Sequence, residues 1–479
     1  MRLLALWILP IFAGAGAFAI PTARLGRRRI AVLIAVAGIH LGLVASLWTD
    51  PAAPALEGWL AVDALGLVVL TLTSVLFFLT SLYVVGNLDR REPRGGRVFV
   101  TSLLCFLAAT SLVALSQHLA LLWVGMEATT LAVAPLIFHQ NDRRSLEAVW
   151  KYLLISSVGI ALALLGTFFL STAQADAPGR ALLLPDLIQH ARALHPAWLR
   201  TAFLFLLVGY GTKMGLAPMH TWKPDTYGEA PSLVSGLMAG ALTSCAFLGV
   251  ARITQVTMAA GLGPFVQPVL IGFGLLSLVV AATFIIGQGD LKRLLAYSSV
   301  EHMGLLVLGL GFGGIGAYGS VLHVLNNGLS KGWMFLVAGN IVIATGSSAA
   351  ADNQGLLRRI PITGALLVLG LFAITGSPPF GLFLSEFTLL RAAIGSGHPW
   401  IAAIMLLLLG VIFIGMAKLI LEMALGSPSP DAEPVHENRW QLVGPIVLAA
   451  LVLVLGVYIP ASLQEVLAHA AASLGGTAP

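Results

Sequence analysis

The sequence predicts an all-α polytopic membrane protein with about fourteen transmembrane helices. Three observations carry that expectation. Of the 479 residues, 58% are hydrophobic and 10% charged, with a mean hydropathy of +0.93, whereas a soluble chain carries about a quarter charged residues. Apolar runs of about 20 residues, long enough to cross the hydrocarbon core, recur from one end to the other. No Gly/Ser/Pro-rich linker long enough to part domains separates them, so residues 1–479 read as a single membrane domain. So few charges cannot clothe a soluble surface, which excludes a cytosolic enzyme, a disordered chain, a nucleic-acid binder and a disulfide scaffold.

The runs lie at 3–20, 30–48, 62–86, 98–116, 119–138, 148–171, 200–218, 232–255, 265–287, 294–311, 316–344, 362–394, 400–424 and 441–460. The first combines Arg2, an apolar stretch and Ala17-Phe18-Ala19 in the manner of a signal peptide, yet the next spans follow in the same idiom, and it reads as a retained helix. The longest outer connection, 172–199, sets Asp186, His190 and Arg192 among leucines. Residues 181–199 are therefore expected to form an amphipathic helix along the membrane surface.

Basic residues orient the bundle. Connections after odd-numbered spans hold Arg24, Arg27, Arg28, Arg29, Arg90, Arg91, Arg94, Arg97, Arg143, Arg144, Lys223, Lys292, Arg293, Arg358, Arg359 and Arg439. The other side holds Arg2, Arg180, Arg192, Arg200 and Arg252. The positive-inside rule makes the odd connections cytoplasmic and both termini outer, which is periplasmic for a multi-pass protein of a cell inner membrane. The net charge of +5 and pI near 9.4 record this topology and not a nucleic-acid partner.

A charge in hydrocarbon costs several kcal/mol, so an intramembrane Glu, Lys or His is a functional candidate by default. Glu127 sits midway along span 5, Lys213 inside span 7, His323 and Lys331 on span 11, and Glu386 on span 12. His323 and Lys331 are eight residues apart on one helix face, with Asn326 and Asn327 between them. Lipid cannot satisfy such a stripe; water or neighbouring helices must. Mere pairing between helices is the blander account, and five sites alternating acid and base weigh against it. His302 on span 10 either carries protons or pairs with Glu301. Lys418 and Glu422 read as a snorkelling pair. Arg391 either neutralises Glu386 or reaches the outer interface, and Lys151 either approaches Glu127 or snorkels inward.

Two spans carry helix breakers beside these residues. Pro218 follows Lys213 by five residues, and Gly376-Ser377-Pro378-Pro379 precedes Glu386. Proline removes a donor and frees carbonyls that need a cavity or a neighbour. Broken helices at corresponding positions of two halves are the mark of an inverted-repeat transporter with sites near mid-depth. The halves would be 98–255 and 265–424, with broken helices 7 and 12. Other motifs are weaker. Gly309–Gly314 matches GxGxxG without the strand that a dinucleotide site needs. Cys105 and Cys245 show no ligand spacing, so neither a metal, a cofactor nor an iron–sulfur cluster is expected.

At these residues the chain resembles the antiporter-like, proton-translocating subunits of respiratory complex I, membrane-bound hydrogenases and Mrp cation/proton antiporters. The resemblance rests on Leu122–Glu127, Gly211–Trp222, Glu229–Ser232, Gly289–Ser299, His323–Lys331 and Pro378–Glu386. Ser298–Gly304 and Ser385-Glu386-Phe387 are most similar to hydrogenase-4 component F. The resemblance implies fourteen helices with two inverted five-helix repeats. It also implies a switchable Glu127–Lys213 pair, with protons passing through Lys331 and His323 to Glu386. Many relatives place a lysine on span 8, where this chain reads Leu242-Thr243-Ser244-Cys245-Ala246.

The expected function is that of a proton-translocating membrane subunit without a redox centre, driven by other membrane subunits and a peripheral redox arm. The alternatives are a Na⁺/H⁺ antiporter subunit and a structural scaffold. The energetics are feasible. Moving one charge against about 150 mV costs about 3.5 kcal/mol, within reach of a buried ion pair that is made and broken.

Overall fold

The apolar runs fold as helices, and Asp63, Asp142, Asp290 and Asn438 each cap the start of one of them with a side-chain oxygen. The computed structural model describes residues 1–19, 26–86, 96–177, 179, 181–427 and 435–478. Six membrane helices come first: α1 (Arg2–Ala19), α2 (Gly26–Thr49), α3 (Ala64–Val85), α4 (Gly96–Leu115), α5 (Leu119–Ile137) and α6 (Arg143–Ala173). Asp63 caps α3 by accepting from the Gly66 amide. Asp142 and Ser145 form a reciprocal capping box on α6, and the bonds from Ser145 hold the Asp142 carboxyl below the usual range.

A short α7 (Leu184–Gln189) precedes the first broken span, α8 (Pro196–Met214) and α9 (Trp222–Glu229). Span 8 follows as α10 (Ser232–Leu237), a π-helical turn over Met238–Leu242, and α11 (Thr243–Ala259). Next come α12 (Gly263–Ile285), α13 (Leu291–Phe312) and the 31-residue α14 (Ile315–Thr345). The second broken span is α16 (Pro361–Ile374) with α17 (Gly381–Gly395), preceded by the one-turn α15 (Leu356–Arg359). The chain continues with α18 (Pro399–Leu425), α19 (Arg439–Val457) and α20 (Ala461–Ser473).

Twelve of the described helical stretches are long and apolar enough to cross a membrane. The two broken spans supply the other expected crossings. Among the described residues there is no named strand, only isolated bridges. The chain is an integral, multi-pass, all-α membrane protein.

Close helix pairs are built on small residues, because lipid offers no hydrophobic drive between helices. On α6, Gly159 packs against Thr212 of α8 and Gly166 against Leu206. Gly274 of α12 likewise meets Gly304 and Leu308 of α13. α14 runs through the centre, touching α3, α10, α13, α16, α17, α19 and α20, and most of its residues are buried.

Several expectations are corrected. Residues 181–199 do not form one surface helix. Pro185 and Pro196 each start a separate helix, and Leu184, Leu187, Leu194 and Leu199 are buried against the bundle. Beyond the last apolar run, 441–460, the structure adds α20, a 13-residue alanine-rich helix too short to read as a span. It packs on α3 and α14, and Gln255 Nε2 donates to Ser473 Oγ at 2.7 Å. Lys223 and Lys292, counted among the cytoplasmic connections, are buried. Arg252, counted outside, is also buried and reaches Asp63 Oδ1 at 3.3 Å. Arg24, Arg90, Arg91, Arg94 and Arg180 lie outside the described residues.

Candidate functional site

The two broken spans are built alike. The first half-helix of span 7 ends at Gly215 (φ 80°) and that of span 12 just before Gly376 (φ 63°), both in the left-handed region that favours glycine. Three residues later each segment has a proline after a cis peptide, Ala217–Pro218 and Pro378–Pro379. In each, an ionisable side chain from the second half-helix folds back onto that glycine: Lys223 onto Gly215 and Glu386 onto Gly376. A side chain at either glycine would collide with it.

In the first half, Lys213 is completely buried on the last turn of α8. Its Nζ donates to Thr130 Oγ1 at 2.9 Å and Tyr152 OH at 3.0 Å. Thr130 in turn donates to Glu127 Oε2 at 3.2 Å. Glu127 and Lys213 are thus linked through a bridge, because Thr130, one turn along α5, stands between them. Glu127 is only partly buried. Lys151 lies elsewhere, pairing with Glu147 at 2.7 Å and Asp225 at 2.8 Å. Arg293 reaches the other oxygen of Asp225 at 3.0 Å.

In the second half, Lys331, His302, His323, Glu301 and Glu386 are all buried around α14. Lys331 Nζ donates to the Leu295 carbonyl at 3.1 Å. Glu301 lies within electrostatic reach of Lys331. His302 does not pair with Glu301, since adjacent helix positions point about 100° apart. Instead its Nδ1 lies 3.1 Å from His323 Nε2, and His323 Nδ1 lies 2.9 Å from Ser385 Oγ. Donor atoms of His302, His323 and Glu386 fall within 4.8 Å of one another, a cluster with the chemistry to share a proton or to hold a cation. Arg391 is exposed and forms no described ion pair with Glu386. Lys418 and Glu422 do not pair; Glu422 accepts from Gln354 at 3.5 Å.

Buried side-chain atoms without a hydrogen-bonding protein partner gather here: Lys223 Nζ, Glu301 Oε2, His302 Nε2, both amide atoms of Asn327, Ser330 Oγ and Glu386 Oε1. Polar groups in a membrane interior are satisfied by water when protein does not satisfy them. Ser244 is no substitute for a lysine, because its hydroxyl is bonded back to the Gly240 carbonyl at 2.6 Å. The Gly309–Gly314 stretch closes α13 and turns into α14, with Gly313 and Gly314 at positive φ.

Residues 116–412 match the family described as NADH:quinone oxidoreductase/Mrp antiporter, TM. The chain belongs to this family. The chain is 32% identical over 418 residues to a hydrogenase-4 component F homolog of Methylacidiphilum infernorum, covering 85% of this chain and 87% of that one. It is 32% identical over 412 residues to NADH-quinone oxidoreductase subunit N of Desulforudis audaxviator, covering 83% and 80%. In fold it resembles a chain of the membrane-bound sulfane sulfur reductase, an archaeal respiratory membrane complex, with a TM-score of 0.88 at 23% identity over 98% and 96% of the two chains. Family membership bears out the resemblance read from the motifs.

Thr130, Tyr152, Ser385 and Lys223 were not among the proton-transfer candidates in the sequence, although Ser385 stood in a family motif and Lys223 among the connection charges. The first three are neutral polar residues with no charge to mark them. Lys223 had one: it sits five residues beyond Pro218, inside the same break as Lys213.

Proposed function

We propose that this chain is a proton-translocating membrane subunit of a multi-subunit hydrogenase or NADH–quinone-oxidoreductase-like complex, coupling redox chemistry in partner subunits to proton movement. The observation that carries the reading is the run of buried ionisable residues beside two helix breaks, in a chain of this family. Glu127, Lys213, Lys331, His302, His323 and Glu386 are assigned to proton transfer. Moving Glu127 and Thr130 away from Lys213 strands its ammonium without a charged partner and drives it to release a proton; restoring the bridge reloads it. Protons then pass to Lys331, across the His302–His323 contact and out through Glu386.

The repeats are assigned to 98–255 and 265–424, supported by the matched breaks at 215–218 and 376–379. Both termini are assigned to the outer face of the inner membrane, since most of the described exposed arginines of the connections (Arg27, Arg28, Arg97, Arg143, Arg144, Arg293, Arg358 and Arg439, against Arg192 and Arg200) lie after odd spans. The partners are other membrane subunits and a peripheral redox arm.

Lys213→Ala tests the reading in inverted membrane vesicles holding the assembled complex. The expected result is loss of proton uptake with assembly intact. Failed assembly with no separable transport defect would favour a scaffold, and sodium-dependent proton exchange would favour an antiporter.

A further inference from the structure

Lys223 opens α9 and is completely buried, yet its Nζ has no hydrogen-bonding protein partner. Its only described aromatic contact is the Tyr227 ring at 5.9 Å. A structural role explains it poorly. A cation in the first turn of a helix opposes the helix dipole, and Asp225, the acid in that same turn, is already held by Lys151 and Arg293.

Its position is informative. On one side, Trp222 donates to the Thr212 carbonyl at 2.9 Å and lies 5.3 Å, centroid to centroid, from Tyr152, the ring whose hydroxyl receives from Lys213. On the other, Lys331 and His302 lie within electrostatic reach of the Lys223 ammonium. Tyr227, on the same half-helix, packs edge-on against Phe335 of α14 at 5.6 Å. Lys223 therefore lies between the first-half and second-half clusters, while Ser244 on span 8 is tied to its own helix.

Building on the proton-transfer reading above, we propose that Lys223 is the proton-carrying residue that joins the two halves, receiving from Lys213 and donating to Lys331. The step is a proton transfer alone. The Lys213 ammonium gives one proton, through water, to a neutral Lys223 amine, which becomes an ammonium and then returns to the amine as the proton passes to a neutral Lys331. Gly215 leaves room for the Lys223 side chain to lie across the break, where any Cβ would strike its Cε and Nζ.

The test uses inverted vesicles holding the whole complex, energised with NADH or with hydrogen, whichever the complex oxidises, and reads proton uptake per electron by acridine-dye quenching. Lys223→Met is expected to lower uptake at least tenfold in assembled complex. Lys223→Arg is expected to fail equally, because a guanidinium keeps the charge but does not release its proton. Adding Ser244→Lys to Lys223→Met is expected to recover a measurable part of the uptake. Normal uptake in Lys223→Met, or in Lys223→Arg, overturns the proposal. If Lys223→Met does not assemble, Lys223→Arg decides alone. Lys213→Ala in parallel separates the two readings: uptake lost there but kept in Lys223→Met discards the linking role only, while uptake kept in both discards the path.

Discussion

Lys213 meets Glu127 through a single hydroxyl: its Nζ donates 2.9 Å to Thr130 Oγ1, which donates 3.2 Å to Glu127 Oε2. A bridged pair is easier to open than a direct one, because a threonine rotamer change breaks both bonds and lets Glu127 move away. This makes Thr130, and not only the two charged residues, a control point of the first half.

Thr130→Val keeps the volume and removes the bridge. A hydrogen bond to a charged group contributes about 1.5–3 kcal/mol, so proton uptake should fall about tenfold while assembly persists. Thr130→Ser, which keeps the hydroxyl, should retain most of it. Uptake by the valine variant equal to the parent would remove Thr130 from the path.

The His302–His323 contact at 3.1 Å makes these two residues one unit. His302→Gln and His323→Gln should each reduce uptake about tenfold, and the double variant should be little worse than the worse single one. Residues that share one network show interaction energies of about 0.5–3 kcal/mol. Multiplicative losses in the double variant would show that protons do not cross between the rings.

Gly456 of α19 lies directly on the break of span 12, where a Cβ would meet the Pro379 carbonyl oxygen and come within 2.7 Å of the Gly381 amide nitrogen. Gly456→Val should destabilise the protein by about 1–3 kcal/mol through overpacking. It should also slow proton transfer, because the backbone before Glu386 must shift. An unchanged melting temperature in detergent would refute the close approach.

Much of this protein was legible in its sequence. Hydropathy and helical length marked the crossings, because the bilayer's thickness sets a repeating length that a sequence displays openly. The two breaks were visible as Lys213 with Pro218 and as Gly376–Pro379 with Glu386. The ionisable candidates stood out because charges are so scarce among apolar residues. The nature of each contact was decided by tertiary packing. Which way a helix is rotated, and which side chains from distant segments meet, depends on interhelical fit that no local pattern encodes. Hence Thr130 came between Glu127 and Lys213, and His302 turned to His323 and not to its neighbour Glu301. Lys223, a loop charge by sequence position, came to lie in the interior because α9 folds back into the bundle behind Pro218.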